Sequence, residues 1–136
     1  MYSSITAAVL ENSRRFPEKI AVADKNRQYT YEELKRAACR MARWLENAGV
    51  EPGDSVLAEC TQDADYLVLD LACGFAEAVF VPLEKKATEE RVSRVYAATG
   101  ARCIIGRTDY SRVGKFYDLS AVLEGCLASA DDGAAY

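Results

Sequence analysis

The alternation of apolar and polar residues along the chain predicts several helices, and the clearest of them begins at Thr30. Thr30 and Glu33 form a capping box, in which a hydroxyl and a carboxylate bind the free N–H groups at a helix start. Apolar residues then recur at spacings of three and four as far as Ala48, which predicts one buried helical face. Gly49 is suited to the left-handed conformation that ends a helix, and Val50 can fold back onto the last turn.

The residues before Thr30 predict a helix followed by a hairpin. Residues 4–16 have a helical apolar pattern, with Ser3 or Ser4 as the capping residue. Residues 20–23 and 27–30 have the composition of short strands, and the turn-forming residues between them predict a hairpin.

Strand and helix patterns alternate from Asp54 onward, after a tight turn at Pro52-Gly53. The order is strand, helix, strand, helix, strand, with short links, which predicts an α/β fold with a parallel sheet and right-handed crossovers. The predicted strands are residues 55–60, 78–81 and 103–105, and the predicted helices are residues 64–77 and 89–99.

Several single residues mark the ends of these elements. Asp63 or Asp65 is expected at the start of the first helix, and Pro82 is expected to close the second strand. Thr88 and Gly100 are expected to cap and to stop the second helix. A weaker helical pattern covers residues 119–127, and residues 129–136 have the composition of a polar tail.

Composition and charge narrow the class of protein. The chain has 136 residues, which fits one domain, and its formal charge of −4 comes from interspersed acidic and basic residues. Because no basic stripe is present, the pattern argues against nucleic-acid binding. No apolar run reaches the roughly 18–20 residues that cross a bilayer, and the first residues lack the features of a signal peptide. We therefore expect a cytoplasmic protein without a membrane span.

The cysteines and the missing histidine exclude several kinds of site. The five cysteines are widely spaced, without a C-x-x-C pair, so we expect buried, reduced thiols rather than disulfides or a zinc site. The chain contains no histidine, which excludes a Ser-His-Asp or Cys-His site and any histidine-ligated metal within it. The cysteines are Cys39, Cys60, Cys73, Cys103 and Cys126.

Nucleotide-binding loops are also missing from the sequence. No G-x-G occurs, so the dinucleotide fingerprint is absent. Gly106 and Gly114-Lys115 are too far apart for a phosphate loop, and Phe116 stands where a hydroxyl is needed.

Paired carboxylates and aromatic residues have structural explanations. The pairs at 32–33 and 89–90 fall in first helical turns, where acids favour the helix dipole, and the pair at 131–132 lies in the tail. Four aromatic residues have the spacing of core positions rather than of a base-stacking platform, namely Tyr29, Tyr31, Trp44 and Phe80. We predict no catalytic, cofactor-binding or metal-binding residue in this chain.

Short motifs in a fixed order nevertheless point to a family. They are T-Y-E-E-L at residues 30–34, G-V-E-P-G-D at 49–54, A-V-F-V-P-L at 78–83, and E-R-V at 90–92 followed by G-A-R at 100–102. Over residues 5–106 this order resembles the adenylate-forming superfamily of acyl-CoA synthetases, peptide synthetase adenylation domains and luciferases. The chain departs from that pattern at Glu77, where glycine is common, at Gln62, where asparagine is usual, and at 84–88, which lack two prolines.

The resemblance implies a part of a larger enzyme. Residues 1–128 would form the N-terminal subdomain of an AMP-dependent ligase, and residues 129–136 would lead toward a missing phosphate-binding loop. The parent would use ATP, Mg²⁺ and either CoA or phosphopantetheine, and its catalytic groups would lie later in the chain. We therefore expect the fragment itself to bind no cofactor and to be inactive.

Several functions remain open from the sequence. We favour a parent that activates a fatty or other organic acid and passes it to CoA. The alternatives are an amino-acid adenylating ligase that acts on a carrier protein, and a stand-alone interaction module. The expected partners are the remainder of the ligase and, through it, a small carboxylic acid, with self-association through an uncovered apolar face in the second alternative. An unrelated doubly wound nucleotide-binding domain is disfavoured by the absent glycine loop.

Overall fold

The computed structural model describes residues 4–128, and the tail at 129–136 with its acidic pair lies outside what it describes. Of the two predicted caps, Ser3 also lies outside, and Ser4 is the first residue of the first helix. The elements alternate as the sequence predicted, so the α/β prediction is confirmed. They are α1 (Ser4–Arg15), β1 (Ile20–Ala23), β2 (Gln28–Thr30), α2 (Tyr31–Asn47), β3 (Ser55–Glu59), α3 (Ala64–Phe75), β4 (Val79–Leu83), α4 (Glu89–Thr99), β5 (Cys103–Gly106), β6 (Phe116–Asp118) and α5 (Leu119–Leu127). None of the helices in these residues is long and apolar enough to cross a bilayer.

The larger sheet has the order β4-β3-β5-β6, and each neighbouring pair in it is parallel. The hairpin of β1 and β2 forms a separate antiparallel pair. The chain leaves β3 for β4 on one side and returns to β5 on the other side. The strand order therefore reverses between β3 and β5, which is a topological switch point.

Both faces of the sheet are covered, because residues along one strand alternate between two apolar clusters. Val56 and Ala58 of β3 belong to the cluster that α2, α3 and α5 cover. Leu57 of the same strand belongs to the second cluster, together with Val92 of α4. Burial on both faces explains why the strand segments are continuously apolar rather than alternating.

The capping box predicted at α2 is present. The N–H of Glu33 donates to Oγ1 of Thr30 at 3.1 Å, and the N–H of Thr30 donates to Oε1 of Glu33 at 2.8 Å. At the other end, Gly49 has a φ of 99°, and the N–H of Val50 donates to the carbonyl of Leu45 at 3.0 Å. The contacts that fix both ends of this helix therefore join residues no more than five positions apart in sequence.

One prediction about the strands was wrong, and one strand was not predicted. Pro82 lies inside β4 rather than after it, paired with Ala58. Because β4 is at the edge of the sheet, a residue without an N–H is tolerated there. The strand β6 was missed, since its three residues are too few for a periodic pattern. The weak helical pattern at 119–127 is confirmed as α5.

The end of α3 explains one departure from the family pattern. The N–H of Ala78 donates to the carbonyl of Cys73 at 2.9 Å, and that of Glu77 donates to Gly74 at 3.3 Å. This is the same helix stop as at Gly49, but the left-handed position is held by Glu77, with a φ of 59°. Glutamate carries a Cβ there, so the conformation is strained where glycine would be relaxed.

We expect Glu77→Gly to raise the free energy of unfolding by about 1 kcal/mol, because it removes the strain of a Cβ in the left-handed region. Urea unfolding of the native chain and the variant measures the change. Glu77→Ala is the matched control, since it removes the same carboxylate but keeps the Cβ. Equal stability of the glycine and alanine variants would show that the backbone conformation is not responsible.

Candidate functional site

The carboxyl ends of β3 and β5 are the first place to look for a site. In open α/β sheets ligands bind in the crevice outside the carboxyl ends of the strands, where the strand order reverses. Here that place is bounded by Glu59, the last residue of β3, and by Arg107, the first residue after β5.

The side chain of Glu59 fills this crevice. Glu59 is 2% exposed and accepts hydrogen bonds from the N–H groups of Lys86, Arg107 and Thr108, each at 2.8 Å. The hydroxyl of Thr108 donates a further bond at 2.6 Å. A Cβ at Gly106 would lie 2.6 Å from Glu59, so only glycine lets the carboxylate enter. Glu59 thereby ties the loops after β4 and β5 to the end of β3.

The carboxylate of Glu59 is held in its ionised form. Burial by itself would raise its pKa, but the hydrogen bonds from Thr108, Lys86 and Arg107 outweigh burial and lower the pKa below its ordinary value. A buried carboxylate that accepts this many bonds acts as a fixed acceptor, not as a proton donor.

Arg107 connects three elements through its guanidinium group. Nη1 lies 2.5 Å from Asp63 and Nη2 lies 2.8 Å from Asp65, both at the start of α3. Nε donates to the hydroxyl of Ser120 in α5 at 2.8 Å. Burial would lower the pKa of Arg107, but the neighbouring carboxylates outweigh burial and raise it. Burial would raise the pKa of Asp63, but the hydrogen bonds from Thr61, Arg107 and the N–H of Tyr66 outweigh burial and lower it.

The hairpin joins the same network through Arg27 and Asp24. Arg27 Nε lies 2.7 Å from Oδ1 of Asp65, an ion pair without the angle of a hydrogen bond. Burial nevertheless raises the pKa of Asp65, more than its cationic neighbours lower it. Asp24 accepts from the N–H of Ala64 at 2.7 Å and so helps to cap α3.

This arrangement links several elements of the chain to one another. In the described residues this network contains two guanidinium groups and four carboxylates, an excess of negative charge that is unfavourable for a phosphate. The carboxylates are those of Asp24, Glu59, Asp63 and Asp65. The described residues contain no group of three or more potential ligands that could hold a metal ion. We call this set of contacts around Glu59 and Arg107 the structural lock.

Sequence reasoning placed no functional residue here and missed the lock. Two features of the sequence could have indicated these contacts. One is the glutamate inside the apolar strand segment 55–60, and the other is the glycine directly before Arg107. The helix-start carboxylates behave as expected, since Glu32 pairs with Arg36 at 2.9 Å and Glu90 with Arg94 at 3.2 Å.

The cysteines and aromatic residues take part in packing. Four of the five thiols are buried and Cys60 is half-buried, and all five are free. Burial raises the pKa of Cys103 to about 11, and it also raises that of Cys73. Trp44 packs edge-on against Tyr117 with ring centroids 4.7 Å apart. These groups are not poised as nucleophiles or as a stacking platform.

The sequence is similar to one protein family and to several characterised enzymes. A family model described as AMP-binding enzyme matches residues 9–132. Phosphinothricin tripeptide synthetase PhsC of Streptomyces viridochromogenes is 36% identical over 133 residues, which is 93% of this chain and 12% of that protein. Feruloyl-CoA synthase of an Amycolatopsis species is 32% identical over 126 residues, which is 90% of this chain and 26% of that protein. The chain thus spans about a quarter or less of the length of these relatives.

Solved structures share the fold. The N-terminal subdomain of Klebsiella oxytoca NpsA, in complex with 3-hydroxyanthranilyl-AMSN, superposes with a TM-score of 0.82 at 23% identity. The match covers 97% of this chain and 33% of that one. An artificially fused adenylation–PCP di-domain, NpsA-ThdA, gives a TM-score of 0.79 at 25% identity, covering 93% of this chain and 24% of that one.

We expect Glu59→Gln to lower the free energy of unfolding at neutral pH by about 1–3 kcal/mol, because an amide nitrogen would face N–H donors that the carboxylate now satisfies. The folded pKa of Glu59 lies below its ordinary value of 4.5. Its stabilisation is therefore present above that value and is lost as the pH falls through the folded-state pKa. Urea unfolding at decreasing pH should show the difference between native chain and variant shrinking in acid.

Glu124→Gln is the control for this titration, since it removes an exposed carboxylate of α5 with the same change in charge. The control should shift stability by no more than a few tenths of a kcal/mol. A difference between native chain and Glu59→Gln that stays constant with pH would contradict an ionised, hydrogen-bonded Glu59.

Proposed function

Since this chain belongs to the AMP-binding enzyme family, we propose that it is a non-catalytic scaffold part of a larger adenylate-forming ligase. In this proposal residues 1–128 form the first part of the ligase's N-terminal region, and residues 129–136 lead toward its phosphate-binding loop. The fold agreement with the NpsA N-terminal subdomain, at a TM-score of 0.82 over 97% of the chain, is the observation that carries it.

The closed switch point supports a scaffold role. In the described residues the crevice that would receive a nucleotide holds the Glu59 side chain, and its network contains more carboxylates than guanidinium groups. Activation of an acid by ATP depends on cationic groups and N–H donors placed around the phosphates. Those groups would come from the remainder of the ligase.

The reaction proposed for the whole ligase has two steps. An oxygen of the substrate carboxylate attacks the α-phosphorus of ATP, the bond to the bridging oxygen breaks, and pyrophosphate leaves. The acyl-adenylate is then attacked at its carbonyl carbon by a thiolate, and AMP leaves with the bonding electron pair. Adenylation makes the second step feasible because AMP is a far better leaving group than a carboxylate oxygen.

A fatty or other organic acid with CoA as acceptor is our first candidate for the substrates. The similarity to feruloyl-CoA synthase over 90% of the chain supports it. The similarity to the tripeptide synthetase PhsC over 93% of the chain supports the second candidate, an amino-acid adenylating ligase that acts on a carrier protein.

Exposed apolar side chains support contact with a partner for both candidate functions. Four large apolar side chains of the described residues are about half exposed, at 48–54%. Ile5 lies on α1, and Phe16 follows directly after that helix. Ile20 lies on β1, and Val79 lies on the edge strand β4. We propose that the remainder of the ligase covers them, and a second copy would do so if the chain acts as a separate module.

We expect the 136-residue chain to show no ATP–pyrophosphate exchange above background with any carboxylic acid, because it lacks a phosphate-binding loop. The measurement is incorporation of labelled pyrophosphate into ATP across a panel of fatty, aromatic and amino acids. The positive control is the product of the complete reading frame of the gene, assayed with CoA and with a phosphopantetheinylated carrier protein.

Each result of this assay has a distinct meaning. Exchange by the short chain contradicts the scaffold proposal. Thioester formed on CoA, or on the carrier, decides between the two candidate acceptors. A reading frame that stops at codon 136 contradicts the ligase proposal and favours the interaction module.

A further inference from the structure

The four-stranded sheet has two edge strands, β4 and β6, and their outer rows of backbone groups differ. In β4 the N–H of Val79 donates to the carbonyl of Asp54 at 2.8 Å, so the backbone groups of Val79 face β3. Because alternate residues of a strand bond to the same neighbour, the backbone groups of Phe80 and Pro82 face away from the sheet. Proline has no N–H, so this outer row holds only the Phe80 N–H as a donor.

The outer row of β6 has no such interruption. The N–H of Ile104 donates to the carbonyl of Lys115 at 2.8 Å, so the backbone groups of Lys115 and Tyr117 face β5. The N–H groups of Phe116 and Asp118 therefore face away from the sheet, and neither has a hydrogen-bond partner among the described residues. β6 thus presents two N–H donors, with the Phe116 carbonyl between them, on the side away from β5.

Side chains on both faces of the sheet hold β6 in place. The ring of Phe116 packs edge-on against that of Tyr110, with centroids 6.2 Å apart, in the second apolar cluster. The ring of Tyr117 packs against Trp44 in the first cluster. The Asp118 side chain caps α5. The outer row is therefore fixed as an extended edge, and an extended segment of polypeptide can pair with it.

The length of β6 restricts what can pair with it. Three residues provide too few hydrogen bonds to hold a second copy of the chain, since even an isolated two-stranded hairpin is only marginally stable in water. An added strand must therefore be held by other contacts as well. The solved NpsA subdomain offers such a context, because this chain covers only 33% of it and most of its length lies outside the match.

We propose that a strand from the remainder of the ligase pairs with the outer edge of β6 and extends the sheet there, while Pro82 keeps the β4 edge without an added strand. This inference rests on the proposed function, since the strand belongs to the remainder of the ligase. The added segment offers carbonyl groups to the N–H groups of Phe116 and Asp118. The Val79 side chain can still be covered, because packing on a side chain and pairing with a strand edge are separate contacts.

The test measures hydrogen–deuterium exchange at single backbone N–H groups, in the 136-residue chain at low concentration and in the product of the complete reading frame. We expect deuterium uptake at Phe116 and Asp118 to be fast in the short chain. In the complete product it should slow by at least about tenfold, because uptake then requires local opening of the added strand. The outward-facing N–H of Phe80 is the matched control and should stay fast in both proteins. The N–H of Tyr117, which faces β5, should be slow in both.

Four results would overturn the inference. Deuterium uptake at Phe116 and Asp118 that stays fast in the complete product would show that no strand is added. Slow uptake in the short chain at low concentration would show that the edge is already occupied. Slowing at Phe80 in the complete product would show that Pro82 does not close the β4 edge. Slowing that appears in the short chain only as its concentration is raised would place a second copy on the β6 edge.

ATP–pyrophosphate exchange by the same complete product separates this inference from the proposed function. Activity without slower deuterium uptake at β6 overturns the inference and leaves the proposed function standing. Slower uptake at β6 without activity supports the added strand and counts against the proposed ligase reaction. The comparison needs no substitution, so a variant that fails to fold cannot leave it undecided.

Discussion

The buried carboxylate of Glu59 is the contact on which the arrangement of this sheet depends. It sits where β3, β4 and β5 end, and it gathers N–H groups from the loops after β4 and β5 within 2.8 Å. Those loops would otherwise bury unpaired donors, which is unfavourable. The Arg107 network extends the same connection to the starts of α3 and α5. An acidic side chain thus closes the crevice that a doubly wound sheet normally leaves open.

Elements with local signals were predictable from the sequence. Helices α2 and α4 begin at threonine caps and end at glycines in the left-handed region, all set by neighbours within a few residues. The lock was not predictable, because the partners of Glu59 lie 27 to 49 positions away. No local sequence pattern predicts a hydrogen bond between residues that far apart in the chain. Pro82 was misplaced for the same reason, since only the position of β4 at the sheet edge makes a proline acceptable there.

The departures from the family pattern have backbone explanations. Glu77 and Gln62 stand where glycine and asparagine are usual, and both have left-handed φ angles, of 59° and 57°. Glycine and asparagine are the residues that tolerate this region best. The chain therefore adopts left-handed backbone at both positions with residues less suited to it than glycine and asparagine.

We propose that the switch point of this chain is a structural lock and not a nucleotide site. The most direct measurement follows the backbone N–H signals of Lys86, Arg107 and Thr108 by NMR while Mg²⁺-ATP is added to the 136-residue chain. The account predicts that these signals stay in place, because their hydrogens are bound to Glu59. A saturable shift of these signals would show that a nucleotide enters the crevice and would contradict the account.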